Sequence, residues 1–158
     1  MQKRLLLLAV AVCVVMLISG SMAFAGDNWV GTWKLDAAKS TYSPGPAPKS
    51  QTLKFETTPA GIKLTSDSVD AQGKAIQGGY VSKFDGQDVP WAGNPDADVA
   101  SPKRINDNSY ENTWKKGGKV TVTAKAVVAA DGKTLTITQT GTNSQGKTVN
   151  NIAVFNSQ

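Results

Sequence analysis

Ala124-Lys125-Ala126-Val127-Val128-Ala129-Ala130-Asp131-Gly132-Lys133-Thr134-Leu135-Thr136-Ile137-Thr138-Gln139 is the stretch that decides the fold class. Two runs rich in Val, Ile, Thr and Ala flank Asp131-Gly132, a dipeptide whose backbone twist suits a tight two-residue hairpin. Centring the hairpin there pairs Val128 with Leu135, Ala126 with Ile137 and Ala124 with Gln139. Apolar then faces apolar, while Thr134, Thr136, Thr138 and Thr140 fall together on the other face, a placement that suits a solvated pleated surface. A slip of one residue would turn the apolar set outward, so the pattern itself specifies the register.

The same two-residue period continues outward in both directions. Short runs of Val, Thr, Ile and aromatic residues are separated by turns such as Pro59-Ala60-Gly61, Ala71-Gln72-Gly73, Asp85-Gly86, Asn106-Asp107-Asn108, Lys116-Gly117-Gly118 and Ser144-Gln145-Gly146. This is the signature of strands and hairpins. It predicts an all-β chain of about ten strands, at 29–36, 51–58, 61–70, 75–84, 87–91, 99–105, 109–115, 119–129, 133–142 and 147–156. No stretch carries an amphipathic helical period. Two connections are long and proline-rich: 37–50, with Pro44, Pro46 and Pro48, and a region around 85–102, with Pro90, Pro95 and Pro102. Proline supplies no ladder donor, so neither region suits a central strand. An antiparallel up-and-down meander of 8–10 strands with one apolar face hides that face and removes its edges by closing into a barrel. A β-sandwich is the alternative, but it usually needs Greek-key crossings and longer connections.

Upstream of the strands lies a segment of a different kind. Met1-Gln2-Lys3-Arg4 precedes an uncharged run from Leu5 to Ile18, and Ala23-Phe24-Ala25 precedes Gly26-Asp27-Asn28. Basic start, apolar centre and small residues at −3 and −1 form the order of a cleavable signal peptide. The apolar run of 14 residues is shorter than the roughly 20 that span a bilayer, which argues against an uncleaved anchor. The expected organisation is therefore a signal peptide at 1–25 and a single β-barrel domain at 26–158, exported to the periplasm or the medium, with no membrane insertion after cleavage. Lys3 and Arg4 leave with the leader, and the net charge falls from +5 to +3. That surplus is spread along the chain, which argues against a nucleic-acid partner. Cys13 is the only cysteine and leaves too, so stability must come from burial.

The first strand, Trp29-Val30-Gly31-Thr32-Trp33-Lys34-Leu35, carries Gly31-x-Trp33. It resembles the opening strand of the calycin barrels, which are the lipocalins, fatty-acid-binding proteins and avidins, and is especially similar to the fatty-acid-binding version. The whole chain further resembles small exported bacterial lipocalin-like proteins. The resemblance implies a barrel whose tryptophan closes the floor. It does not carry a ligand across: the last strands contain no arginine of the kind that holds a carboxylate, and 37–50 offers no capping helix pair.

Composition excludes much chemistry. The chain has no histidine, which removes Ser-His-Asp triads, His-ligated haem and His-based zinc or copper sites. No catalytic residues, cofactor or metal site are predicted, and the domain is read as non-enzymatic. Asn94-x-Asp96-x-Asp98, with Asp85 and Asp88, has part of a calcium pattern. The glycine and distal glutamate of a calcium loop do not follow it, so an ordinary turn is the reading. The inner faces are more informative. Gln139 interrupts the face of Leu135 and Ile137 opposite Ala124, and Asn112 and Asn151 interrupt other apolar faces. Small residues leave room, and a few amides in an apolar room describe a small-molecule cavity. The alternative places these amides at wet strand ends.

Trp33, Tyr80, Phe84, Trp114 and Gln139 are the residues expected to line that cavity, with Trp91 and Arg104 near its entrance. Trp91 either covers a ligand or tucks under its own loop. Arg104, the one arginine after the leader, either holds a carboxylate or makes a surface pair. The function expected is binding of a small, largely apolar ligand in the interior. The alternative is a ligand-free structural or protein-interaction scaffold of the cell envelope, which a filled core and an exposed apolar patch around Trp91 would favour.

Overall fold

A computed structural model describes residues 26–158; the leader expected at 1–25 lies outside the described residues. Ten antiparallel strands form one sheet: β1 (Gly31–Leu35), β2 (Ser50–Thr58), β3 (Gly61–Val69), β4 (Ala75–Ser82), β5 (Val89–Pro90), β6 (Val99–Asn106), β7 (Ser109–Lys116), β8 (Lys119–Val128), β9 (Thr134–Thr142) and β10 (Thr148–Ser157). Their spatial order is β4-β3-β2-β1-β10-β9-β8-β7-β6-β5. Each strand thus lies beside its sequence neighbours, apart from β4 and β5 at the two ends of the sheet, and β1 also pairs with β10. The ends nearly close the barrel at a thin seam. Gly79 N–H donates to Ala92 O at 3.1 Å and Ala92 N–H to Gly79 O at 3.2 Å. Backbone can come this close because the seam is glycine: a Cβ on Gly78 would run into Ala92 O, and one on Gly93, at φ +79°, into Gln77 O.

The hairpin across Asp131-Gly132 has the register that alternation specifies, with Val128 opposite Leu135, Ala126 opposite Ile137 and Ala124 opposite Gln139. In β10, whose pattern allows two inward faces, Val149, Ala153 and Phe155 are buried and Ile152 is 44% exposed. A strand is expected at 99–105, and β6 fills it. β6 contains Pro102, fully buried, beside the irregular 83–88 segment, where the ladder to β5 has ended and the missing donor costs little. In the 37–50 connection, a single 3-10 turn (Ala37–Lys39) is followed by Thr41, which exchanges two 2.8 Å backbone bonds with Ile152.

One end of the barrel, the floor, collects the β2–β3, β6–β7 and β8–β9 turns and the 26–30 segment. The interior there is packed solid with rings. Phe84 meets Tyr110 edge-on at 5.1 Å, Trp29 meets Tyr110 at 5.4 Å, and Phe55 meets Tyr110 at 5.9 Å. Trp33, 2% exposed, donates its indole N–H to Trp29 O at 2.8 Å. Phe84 reaches this cluster from a left-handed backbone at φ 56°, held by Ser82 Oγ accepting its N–H and by Arg104 N–H donating to its carbonyl.

Candidate functional site

The mouth half of the same barrel is open. A cavity of about 390 Å³ lies between the strands and reaches the loops at 42–48, 70–72 and 93–96. Space exists there because Gly78, Ala124 and Ala153 stand on the inner face where the floor half has aromatic rings. One wall is a run of three rings: Tyr80 meets Trp91 edge-on at 5.2 Å, and Trp91 meets Trp114 edge-on at 5.0 Å. Leu53, Leu64, Ile137 and Phe155 continue the apolar lining.

Tyr80, Trp91, Trp114 and Gln139 therefore lie together on one cavity. Trp91 is turned inward against two rings instead of standing as an exposed patch. The other three expected residues do not line it. Trp33 and Phe84 point inward, as their parity requires, but they stand at floor level, where neighbouring rings fill the interior. Arg104 is not at the entrance. It sits at the opposite end, where its Nε donates to Asp27 Oδ1 at 2.6 Å and its other arm reaches Asp107. Asp27 and Asp107 both raise the guanidinium's pKa, Asp27 more strongly.

Two amide relays enter the cavity. Ser43 N–H donates to Asn151 Oδ1 at 2.9 Å, and Asn151 Nδ2 donates to Gln139 Oε1 at 3.0 Å. On the other side, Ser101 N–H donates to Asn112 Oδ1 at 3.1 Å, and Asn112 Nδ2 donates to the Tyr80 hydroxyl at 3.2 Å. Trp114 Nε1 and the Tyr42 hydroxyl are buried on the lining without a hydrogen-bond partner among the described residues, a lack that Trp29 Nε1 shares in the floor. Burial pushes the Tyr42 hydroxyl up to about 12 and Tyr80 well above its usual value, so both stay protonated at neutral pH.

The charged side chains on the lining are Asp70 and Asp96. Asp96 ties loops together, accepting from Ser144 N–H at 3.1 Å and Ser144 Oγ at 2.8 Å. Its neighbours in the Asn94-x-Asp96-x-Asp98 run do likewise: Asn94 Oδ1 accepts from Asp96 N–H, and Asp98 Oδ2 from Gly117 N–H. Among the described residues, no three acidic side chains gather around a common point as a metal site would need.

Tyr42 is among the lining residues that sequence reasoning did not name, with Leu53, Leu64 and Phe155. Thr41 bridges to Ile152 on the outer face, and alternation then turns Tyr42 inward. That pairing joins segments more than 100 residues apart, so no local pattern announces it.

No protein-family model matches the chain, and no curated protein matches it. Among solved structures, it is similar to the zebrafish ileal bile acid-binding protein complexed with cholic acid. The TM-score is 0.48 and the identity 9%, over 83% of this chain and 99% of that one.

Proposed function

We propose that the mature chain is an exported, non-enzymatic binding protein that holds a small, largely apolar ligand inside the mouth half of its barrel. The observation that carries this reading is the asymmetry of the interior. The floor half is filled by rings, whereas the mouth half keeps an apolar cavity of about 390 Å³ with a few fixed polar groups. That volume falls in the range of roughly 300–1,000 Å³ common to small-molecule sites, and the lining has their usual composition. Export rests on Lys3-Arg4, the apolar run to Ile18 and Ala23-Phe24-Ala25. A partner-binding scaffold is less well supported, since its mark would be a filled interior and an outward Trp91.

Native mass spectrometry of the protein, purified gently from the envelope fraction of its own host, tests both parts. A polypeptide mass beginning at Gly26 supports cleavage and export. An additional mass, reproducible and lost on denaturation, supports the binding reading and names the ligand from the organic extract. A bare polypeptide, unchanged after incubation with lipid and metabolite mixtures, counts against binding of anything offered.

A further inference from the structure

Two polar groups beside the aromatic wall of the cavity point their hydrogen-bonding capacity the same way. A backbone N–H only donates, so Ser43 N–H fixes Asn151 with its oxygen toward the loop and its NH₂ toward Gln139. Gln139 must then offer Oε1 to Asn151, which leaves its own NH₂ for the cavity. The second relay has the same sense. Ser101 N–H fixes Asn112, whose NH₂ donates to the Tyr80 oxygen, and the Tyr80 hydroxyl hydrogen remains to be given onward. Trp114 Nε1 can only donate; among the described residues it has no partner, and with under 1 Å² accessible it is closed off from the cavity. Tyr80 from β4 and Gln139 from β9 thus present donors beside the aromatic wall. Gln51, on β2, instead has its amide NH₂ on Ser66 Oγ at 3.2 Å.

Charge narrows the choice further. Among the described residues, the lining includes Asp70 and Asp96 and no lysine or arginine. A carboxylate entering this cavity would give up its hydration without meeting a cation, and would approach two negative groups. An ammonium could pair with Asp70 or Asp96 at the mouth loops, but beside the aromatic wall it would find donors where it needs acceptors.

We propose that the cavity selects an uncharged, apolar molecule bearing carbonyl or ether oxygens, of the ketone, quinone, ester or lactone kind, and discriminates against carboxylates. This deepens the binding reading above and rests on it. The oxygen accepts from Gln139 Nε2, with the Tyr80 hydroxyl as a second donor, while the apolar body lies against Trp91. An unmet buried donor is expensive, so a ligand oxygen that satisfies it gains more than its apolar area provides.

Calorimetric titration of the mature chain with four probes of one shape tests this: 2-acetylnaphthalene, 2-ethylnaphthalene, 2-naphthoate and 1-(2-naphthyl)ethylammonium. The ketone is expected to bind about fivefold or more tighter than the hydrocarbon, and about tenfold or more tighter than either ion. Tyr80→Phe and Gln139→Leu are each expected to cut the ratio of ketone to hydrocarbon affinity by about fivefold. A ratio cancels any effect a variant has on both probes, and the two variants perturb different strands. Naphthoate binding as tightly as the ketone would overturn this inference and leave the binding reading intact. A ketone advantage that survives both variants would overturn the donor assignment. Failure of all four probes to bind would overturn the binding reading and this inference with it.

Discussion

Phe84 shows how much one residue can depend on its surroundings. Its backbone is left-handed, a conformation that disfavours a β-carbon by roughly 1–2 kcal/mol, yet its ring contacts Trp29, Tyr80 and Tyr110. Truncating the ring should cost about 3–5 kcal/mol, whichever small residue replaces it. Ordinarily alanine is better tolerated than glycine; here Phe84→Gly should be at least as stable as Phe84→Ala in urea denaturation, because glycine relieves the strain. The opposite order would mean that the left-handed backbone is not held in solution. The three tyrosines supply a second residue-level prediction. Tyr42, Tyr80 and Tyr110 are all raised above the ordinary value near 10, in each case by burial first. A group whose folded pKa is raised stabilises the fold fully below its unfolded pKa. That contribution is lost as pH climbs from about 10 through the folded value, which for Tyr42 is about 12. Absorbance at 295 nm should therefore show little tyrosinate near pH 10 while circular dichroism stays native. A normal titration in a native-looking protein would contradict the burial.

At the scale of elements, the barrel depends on a weak place. β5 is two residues long, and the closure against β4 consists of one pair of backbone bonds between Gly79 and Ala92. Gly93→Val or Gly78→Val should force the two segments apart, lowering stability by about 1–3 kcal/mol. Amide exchange at Gly79 and Ala92 should quicken well before exchange elsewhere. Uniform protection across the barrel in those variants would show that the seam is not where it opens. Strand positions themselves are legible in the chain because their causes are local. Glycine turns punctuate runs whose alternation sets the inner face, and Thr134, Thr136 and Thr138 could not be exchanged with Leu135 and Ile137 without exposing the core. The seam is not legible in this way. Gly78-Gly79 reads as a weakness inside a strand until the nine strand pairings of the sheet curl Ala92 against it.

For the whole molecule, the division into a filled floor and an open mouth separates the packing that stabilises the fold from the cavity proposed to bind. Arg104 belongs to the first. Arg104→Met should lower the denaturation midpoint, since Asp27, with a side chain only 4% exposed, loses its partner. Affinity for the naphthyl ketone should stay unchanged, because the pair lies at the far end of the barrel from the cavity. A loss of affinity without a loss of stability would return Arg104 to the binding site. The amino-acid sequence by itself determined the all-β class, ten strands and the inward or outward sense of most side chains, through a two-residue period that neighbouring residues impose on one another. It also placed Tyr80, Trp114 and Gln139 on inner faces. Only the tertiary structure decided the height of each inward residue along the barrel axis, and therefore that Trp33 and Phe84 fill the floor while Tyr42 and Trp91 border the cavity. Height depends on which distant strands lie side by side and on how large rings share a closed space. Those are packing relations among residues far apart in the chain, and alternation carries no record of them.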